Sequence, residues 1–183
     1  MKKTPELSHF GLFVCDVERM AAFYRDVLGF VETDRGTLGD KQLIFLSGDP
    51  REHHQLVFVS GLSKPPDEEV VNQISFRLQT LEDLLEFHRT IVTCNVDDVR
   101  PINHGNAWSI YFRDPEGNRI EVTVDSPWYV SQPNRDPFDV RLSADQIRIE
   151  TEAWCRRKPS FEPAERFRER VAAKISEASP KAG

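Results

Sequence analysis

The sequence has few cysteines, and their spacing fits neither a disulfide framework nor a cysteine metal site. Cys15, Cys94 and Cys155 are an odd number and lie far apart in a chain of 183 residues. Paired cysteines are typical of small secreted domains, whereas isolated cysteines are typical of proteins in a reducing compartment. The cysteine content therefore favours a cytoplasmic protein that is stabilised by packing rather than by covalent crosslinks.

Long apolar runs and an excess of positive charge are also absent. No stretch approaches the roughly 20 apolar residues of a membrane-spanning helix. Residues 1–6 are not followed by the apolar segment of a signal peptide. The formal net charge is −6, which has the wrong sign for a general nucleic-acid surface. We expect a soluble protein that binds neither membranes nor nucleic acid.

An internal repeat is present, and it predicts the domain organisation. Residues 9–14 align with residues 73–78, and further along the chain Gln55 aligns with Glu121 after two single-residue shifts. Self-similarity of this kind indicates two copies of one supersecondary unit. A chain of 183 residues is long enough for two small fused modules and an extension.

Each copy has the pattern of one strand, one helix and three further strands. In the first copy, residues 7–60, Asp16 can cap an amphipathic helix that Gly29 ends. In the second copy, residues 71–125, Thr80 begins a capping box before the second helix. The predicted strands are residues 7–15, 30–34, 42–46 and 54–60 in the first copy, and 71–78, 96–102, 107–113 and 119–124 in the second.

Residues 126–183 differ in character from the two copies. Prolines interrupt a crossing segment, and two amphipathic helices are predicted after it, one behind a capping box at Ser143 and one behind Pro163. We therefore predict an α+β protein in which two tandem βαβββ modules form a concave mixed sheet, followed by a C-terminal helical extension. The extension is expected to pack over the sheets or across a homodimer interface.

The segment after Phe112 carries the strongest local signal for chemistry. Residues 114–117 have the composition of a tight turn, since proline presets one position and glycine accepts a positive φ. In the strand that follows, Ile120 and Val122 alternate with Glu121, so the polar face presents a carboxylate at a fixed height. A lone glutamate in such a strand is usually solvent-exposed, but here the unit that carries it occurs twice.

Four polar residues occupy equivalent strand positions in the two copies: His9, Gln55, Gln73 and Glu121. If a pseudo-twofold axis relates the modules, these side chains converge, and an imidazole, a carboxylate and amides form a divalent metal site with open positions. Taken singly, His9 would be an ordinary histidine at a strand end and Gln73 a buried amide bonded to backbone. His54 is an alternative ligand, although strict alternation points it away from the Gln55 face.

The paired modules, His9 on the first strand and residues 111–121 together resemble the vicinal oxygen chelate superfamily. That superfamily includes glyoxalase I, fosfomycin-resistance proteins, bleomycin-binding proteins and the type I extradiol ring-cleavage dioxygenases. The resemblance covers residues 7–125. Within the superfamily it is greatest to the extradiol enzymes, such as catechol 2,3-dioxygenase.

The resemblance to extradiol dioxygenases implies roles for individual residues. In that group a tyrosine lies ten residues before the glutamate ligand, as Tyr111 lies before Glu121. The resemblance implies that His9 and Glu121 bind iron(II). It also implies that Tyr111 hydrogen-bonds an oxygen of the substrate or of an intermediate and that His104 orients it. The implied reaction cleaves a catechol-like aromatic diol beside its hydroxyls and incorporates both atoms of O₂.

Gln73 departs from the dioxygenase pattern, because those enzymes have a second histidine ligand at the equivalent position. A neutral amide is a weaker ligand for iron(II) than an imidazole, whereas glyoxalase-like members can use glutamine. The expected metal ligands are therefore His9, Gln73 and Glu121, with manganese, zinc or nickel as alternatives to iron. Two other functions stay open. One is a glyoxalase-like metal-dependent isomerase or lyase that acts through Glu121, and the other is a metal-free protein that binds an aromatic ligand.

Overall fold

The first module has the order of strands and helix that its sequence predicts. The computed structural model describes residues 6–66 and 70–178. The elements are β1 (Phe10–Val14), α1 (Val17–Leu28), β2 (Val31–Leu38), β3 (Lys41–Ser47) and β4 (Leu56–Ser60). Asp16 caps α1 by accepting a hydrogen bond from a backbone N–H, and Gly29 ends it at a φ of 76°. The strands form a sheet of order β1-β4-β3-β2, in which β1 and β4 are parallel.

The second module repeats this plan and gains one strand. Its elements are β5 (Ile74–Arg77), α2 (Leu81–Thr93), β6 (Arg100–Asn103), β7 (Ala107–Arg113) and β8 (Arg119–Asp125). Thr80 and Asp83 form the predicted capping box at the start of α2. The sheet order is β10-β6-β7-β8-β5, and its extra strand, β10 (Asp136–Pro137), comes from the extension. The α+β class and the βαβββ order of both modules are confirmed.

Several strand ends differ from the sequence prediction, and the two largest differences, at the end of β2 and the start of β6, have local reasons. β2 continues to Leu38 because Gly39, at a φ of 63°, allows a hairpin with β3. β6 begins only at Arg100, since Asn95 and Asp98 adopt positive φ values and interrupt the extended backbone before it. The end of β2 is polar in composition, so the sequence gives no clear strand signal there. The start of β6 depends on backbone angles that a hydrophobic pattern does not indicate.

The two modules form two sheets around a shared core rather than one continuous sheet. Within the described residues, no strand pairing connects the first sheet to the second. An aromatic cluster fills the joint: the Tyr24 ring centroid lies 4.9 Å from that of Phe58 and 6.3 Å from that of Phe76. Phe30 and Phe76 are 5.3 Å apart by the same measure. The predicted mixed sheet is thus divided in two, and apolar packing holds the halves together.

The turn between β7 and β8 of the second module also forms hydrogen bonds with the first module. The Glu116 carboxylate accepts hydrogen bonds from the backbone N–H groups of Cys15, at 2.8 Å, and Asp16, at 2.9 Å, where the helix dipole of α1 favours negative charge. Tyr24 donates to Asp114 over 3.2 Å inside the core. Burial raises the pKa of the Asp114 carboxyl, while the hydrogen bonds to its oxygens oppose the shift. These contacts fix the turn between β7 and β8 against α1.

The extension packs against the second sheet. Besides β10, it contains β9 (Trp128–Tyr129), α3 (Ala144–Arg156), β11 (Glu162–Pro163) and α4 (Ala164–Ala178). Both predicted helices are present, and the capping box at Ser143 is confirmed. Trp108 of β7 donates to Thr151 of α3 at 2.9 Å, and the Tyr129 ring stacks on Phe167 of α4 at a centroid distance of 3.9 Å. In the part of the chain that is described, none of the helices has the length and apolar character needed to cross a bilayer.

Gly105 lies where the extension closes over the loop between β6 and β7. Its φ is +80°, and a Cβ atom there would lie 2.5 Å from Val130 Cγ2 and 2.8 Å from Trp154 Cζ3. Gly117 has a similar φ of +87°, but an added Cβ would meet no atom within 4 Å. The two glycines therefore share the same backbone requirement and differ in the space around them.

We predict that Gly105→Ala lowers the free energy of unfolding by about 2–4 kcal/mol, because overpacking adds to the cost of a left-handed backbone. Gly117→Ala should lose only the backbone contribution, about 1 kcal/mol. Urea unfolding followed by tryptophan fluorescence measures both losses. Equal losses in the two variants would show that the extension does not close tightly over Gly105.

Candidate functional site

Strand register gathers polar side chains on one face of the second sheet. Tyr111 of β7 and Ser75 of β5 each lie directly opposite Glu121 of β8. Directly paired residues project from the same face of a sheet, so these three side chains meet. Phe76 and Val122 project from the other face into the core. The pleat therefore separates a polar face from an apolar one.

The Glu121 carboxylate is the centre of this polar face. Glu121 is only 7% exposed. It accepts hydrogen bonds from Tyr111 Oη at 2.6 Å, from Gln73 Nε2 at 2.5 Å and from Ser75 Oγ at 2.5 Å. Among the described residues its one ion-pair partner is His104, whose Nε2 lies 3.9 Å from Oε1. Buried carboxylates are normally balanced by a cation, so this arrangement favours the binding of one.

The contacts of His104 determine how protons are distributed in this network. Its Nδ1 lies 2.6 Å from the carbonyl oxygen of Asn134, which can only accept, so Nδ1 carries a proton. Its Nε2 lies 3.0 Å from the Tyr111 hydroxyl, which donates its single proton to Glu121. Both contacts of the hydroxyl are hydrogen bonds only if a further proton resides on His104 Nε2 or on Glu121. One proton can therefore move between His104 Nε2 and Glu121 through the Tyr111 hydroxyl.

Tyr111 is a hydrogen-bond donor rather than a phenolate. Burial raises the pKa of its hydroxyl well above the ordinary value, and the hydrogen bond and charge of Glu121 raise it further. The positive charge of Arg135, whose guanidinium carbon lies 5.2 Å from the centre of the Tyr111 ring, opposes this shift. The raised pKa keeps Tyr111 protonated at physiological pH.

The predicted site positions of the first module lie apart from this network. His9 is exposed, its ring centroid lies 4.2 Å from that of His54, and it makes neither a hydrogen bond nor an ion pair with Glu121. The Gln55 side chain accepts a hydrogen bond from Gly48 N at 2.9 Å instead. The expected convergence of all four polar positions is therefore not found within one chain. The predicted site residues that the structure brings together are Gln73, His104, Tyr111 and Glu121.

His54 faces His9, contrary to the prediction from strict alternation. Alternation applies within a strand, and β4 begins only at Leu56. The His54 ring packs against His9 and Phe45, with centroid distances of 4.2 and 5.1 Å. Burial lowers the pKa of His54, and the neighbouring histidines lower it further. His54 therefore supports the His9 ring as a neutral neighbour.

The donor atoms around Glu121 suit a divalent metal but do not complete its coordination. Glu121 offers a carboxylate, and the Gln73 amide can turn its oxygen to a metal by rotation about one bond. Such oxygen donors, together with an imidazole, suit iron(II) or manganese(II). The described residues contain no cluster of three or more histidine, cysteine, aspartate or glutamate side chains that could hold a metal. One chain thus brings two of the three predicted ligands to one place.

Two residues of the site, Ser75 and Arg135, are missing from the sequence predictions. Ser75 lies two residues after Gln73, so the period of a strand puts both on one face, a signal that the sequence does contain. Arg135 lies in the irregular segment between β9 and β10, where no periodicity indicates the direction of a side chain. The strand pattern therefore indicates Ser75, whereas the sequence carries no signal for Arg135.

We predict that Tyr111→Phe lowers the free energy of unfolding by about 1–3 kcal/mol, because it removes one of three donors from a buried carboxylate. Ser47→Ala is the matched control, since Ser47 is a buried strand residue that loses only neutral hydrogen bonds with the backbone of Asp49. The control should lose about 0.5–1.5 kcal/mol. Urea unfolding at pH 7 measures both. A smaller loss for Tyr111→Phe than for the control would mean that its hydroxyl does not stabilise Glu121.

The chain matches a known protein family over both modules. The sequence profile of the glyoxalase/bleomycin resistance protein/dioxygenase superfamily matches residues 6–122. Biphenyl-2,3-diol 1,2-dioxygenase 3 of Rhodococcus globerulus is 30% identical over 131 residues, which are 69% of this chain and 66% of that protein. Biphenyl-2,3-diol 1,2-dioxygenase 2 of the same organism is 26% identical over 179 residues, or 85% of this chain and 92% of that protein. A metapyrocatechase of a Pseudomonas species is 31% identical over 62% of this chain and 37% of its own length.

Solved structures share the fold. A glyoxylase/bleomycin resistance protein/dioxygenase domain from Frankia sp. EAN1pec has a TM-score of 0.59 at 19% identity, over 68% of this chain and all of that one. The fosfomycin resistance protein FosX of Listeria monocytogenes, solved with Mn(II) and sulfate, has a TM-score of 0.51 at 21% identity, over 68% of this chain and 95% of its own. At these identities the likeness concerns the fold alone. The profile match covers more than half of the sequence, and the chain therefore belongs to the glyoxalase/bleomycin resistance protein/dioxygenase superfamily.

Proposed function

We propose that the protein is a metal-dependent extradiol-type dioxygenase that cleaves the ring of a catechol-like aromatic diol with O₂. The observation that carries this proposal is the network in which Tyr111 links His104 to the buried carboxylate of Glu121. The names of the relatives support it, since two are biphenyl-2,3-diol dioxygenases and the third is a metapyrocatechase. Together these observations favour ring cleavage over isomerisation or metal-free binding.

Glu121 and Gln73 would hold the metal, with His9 as the third ligand. Iron(II) is the proposed ion, and manganese, zinc and nickel are the alternatives for the same donors. When bound, such a metal brings the two diol oxygens and O₂ side by side and balances the negative charge of the diolate and of Glu121. Among the described residues the one ion-pair partner of Glu121 is His104, which supports this role for a metal.

Tyr111 and His104 would orient the diol and move its protons. The Tyr111 hydroxyl lies 2.6 Å from Glu121, so it can hydrogen-bond an oxygen that binds beside that carboxylate. Asn134 fixes His104 through Nδ1, and Nε2 lies 3.0 Å from the Tyr111 hydroxyl. An unprotonated Nε2 could therefore take a proton from a diol hydroxyl, directly or through Tyr111, and later return it. Tyr111 and Glu121 are both buried, so bulk water has little access to these transfers.

We propose further that His9 reaches this site from a second copy of the chain. β1 and β5 are the outer strands of their sheets, and within the described residues each has one edge without a strand partner. His9 lies one residue before β1, and Gln73 lies one residue before β5. Two copies that meet along these edges across a twofold axis would bring His9 of one copy beside Gln73 and Glu121 of the other.

The exposed face of the first sheet supports the same homodimer. Phe13 on β1 is 64% exposed. The register puts Val59, Leu43 and Phe45 on the same face as Phe13. Large apolar side chains gathered on one exposed face are typical of an interaction surface. A dimer that covers this face would bury these side chains and complete the ligand set in the same step.

Metal analysis after purification and reconstitution under argon is the first test. We expect near-stoichiometric iron in the wild-type protein and its loss in both Glu121→Ala and His9→Ala, because each variant lacks a ligand. His53→Ala is the matched control, since His53 is exposed in the loop between β3 and β4 and lies outside the proposed ligand set. O₂ uptake with catechol, 3-methylcatechol and 2,3-dihydroxybiphenyl should follow the iron content.

The alternative functions give different results in the same experiment. Bound zinc, nickel or manganese without O₂ uptake would favour a glyoxalase-like isomerase or lyase. No metal in any sample, even after reconstitution, would contradict the proposal and favour a protein that binds an aromatic ligand without metal. Loss of iron in His53→Ala would mean that the ligand set is wrong.

Mixing two inactive variants tests whether the site is shared between copies. A mixed dimer of His9→Ala and Glu121→Ala has one site with both ligands intact and one site with neither. We therefore expect O₂ uptake to reappear when the variants are unfolded and refolded together, at about a quarter of the wild-type rate if pairing is random. Each variant refolded alone is the control and should stay inactive.

Two results would contradict the shared site. One is a mixture as inactive as the single variants although light scattering shows a dimer, which would mean that each site lies within one chain. The other is a wild-type protein that is monomeric in light scattering and still active.

A further inference from the structure

A segment of the extension is held directly over the proposed site. Gln132 donates through Nε2 to the carbonyl oxygen of His104, at 2.8 Å, and to Asn106 Oδ1, at 3.0 Å. The carbonyl oxygen of Asn134 accepts from His104 Nδ1, and Asn134 N donates back to Gln132 Oε1 at 2.9 Å. The backbone that leads into Arg135 is therefore fixed relative to the His104 ring.

Arg135 extends from this segment onto the Tyr111 ring, and its guanidinium has no carboxylate partner among the described residues. Its guanidinium carbon lies 5.2 Å from the ring centre, within the range of a cation–π contact. Arg135 is exposed and forms no ion pair or side-chain hydrogen bond with any residue that the structure describes. Arg77 and Arg100 share this face of the sheet by register, but ion pairs with Asp125 and Asp98 engage them.

Within the described residues, neither the Glu121 carboxylate nor the Asp136 carboxylate forms an ion pair with Arg135. Glu121 accepts from Tyr111, Gln73 and Ser75. Asp136 follows Arg135 but pairs with β6 and lines a separate cavity on the side of α3. A negatively charged group on a ligand above Tyr111 would therefore find the guanidinium available as its counter-ion.

We infer that Arg135 recognises an anionic substituent on the aromatic diol, so that the substrate is a catechol that carries a carboxylate. The inference rests on the proposed function and adds the charge of the substrate to it. A guanidinium matches a carboxylate in bidentate geometry, and its place beside the Tyr111 ring would bring it near an aromatic diol bound at the site. The competing explanation is that Arg135 only stacks on Tyr111 and holds the segment in position.

The test compares carboxylated diols with their neutral amides. The ligands 2,3- and 3,4-dihydroxybenzoate and the corresponding dihydroxybenzamides are titrated under argon into the protein with and without reconstituted iron, and Kd is measured from tryptophan fluorescence. We expect at least one carboxylate to bind roughly tenfold more tightly than its amide. Arg135→Gln should abolish this preference, and Arg135→Lys, which keeps a point charge, should retain part of it. Arg157→Gln, which changes an exposed arginine at the end of α3, is the control and should retain all of it.

Two results would overturn the inference. Equal binding of carboxylate and amide to the wild-type protein would show that Arg135 does not recognise an anion. A preference that persists in Arg135→Gln would assign it to another group, and its disappearance on removal of iron would identify that group as the metal.

Failure of the proposed function is distinguishable from failure of this inference. An Arg135-dependent preference without any O₂ uptake would reject ring cleavage and keep Arg135 as the residue that selects an anionic ligand. O₂ uptake that is equally efficient with carboxylates and amides would keep ring cleavage and reject the role of Arg135.

Discussion

The burial of the Glu121 carboxylate, whose one ion-pair partner among the described residues is His104, is the constraint on which the rest of this structure depends. Two of the three donors to Glu121 require a particular strand register: Tyr111 requires the antiparallel pairing of β7 with β8, and Ser75 requires the parallel pairing of β5 with β8. A shift by one residue in the second sheet would turn Glu121 into the apolar core and leave its charge unsatisfied. The site therefore specifies the register of this sheet as strongly as the core does.

The turn before β8 carries that constraint into the first module. Glu116 binds the N–H groups at the start of α1, and Asp114 accepts from Tyr24 in the middle of that helix. Since β8 begins soon after the turn, the height of Glu121 on the sheet depends on where α1 lies. The aromatic cluster and the turn before β8 thus both fix α1 against the second module. A change in the packing of α1 would therefore shift the Glu121 carboxylate.

Sequence patterns predicted the order of elements and the alternation of side chains within strands. The positions of His9 and Arg135 depend instead on contacts between residues that are far apart in the sequence. The repeat predicted the order of elements in both modules, and the alternation around Glu121 predicted that it shares no face with Val122, as the structure shows. The position of His9 relative to Glu121 depends on how two sheets pack, which no local pattern encodes. Arg135 lies in a segment without periodicity, and hydrogen bonds to residues far back in the chain fix its backbone.

The residues that hold His104 and its neighbour Gly105 in place extend beyond the part of the chain that matches the family profile. The profile match ends at residue 122, whereas the carbonyl group that fixes the His104 ring belongs to Asn134 and the cover over the neighbouring Gly105 includes Trp154. A chain trimmed to the family boundaries would keep the carboxylate and all but the end of β8, yet the His104 imidazole would lose its hydrogen bond to Asn134. The appended segment is therefore part of the proposed site rather than an accessory to it.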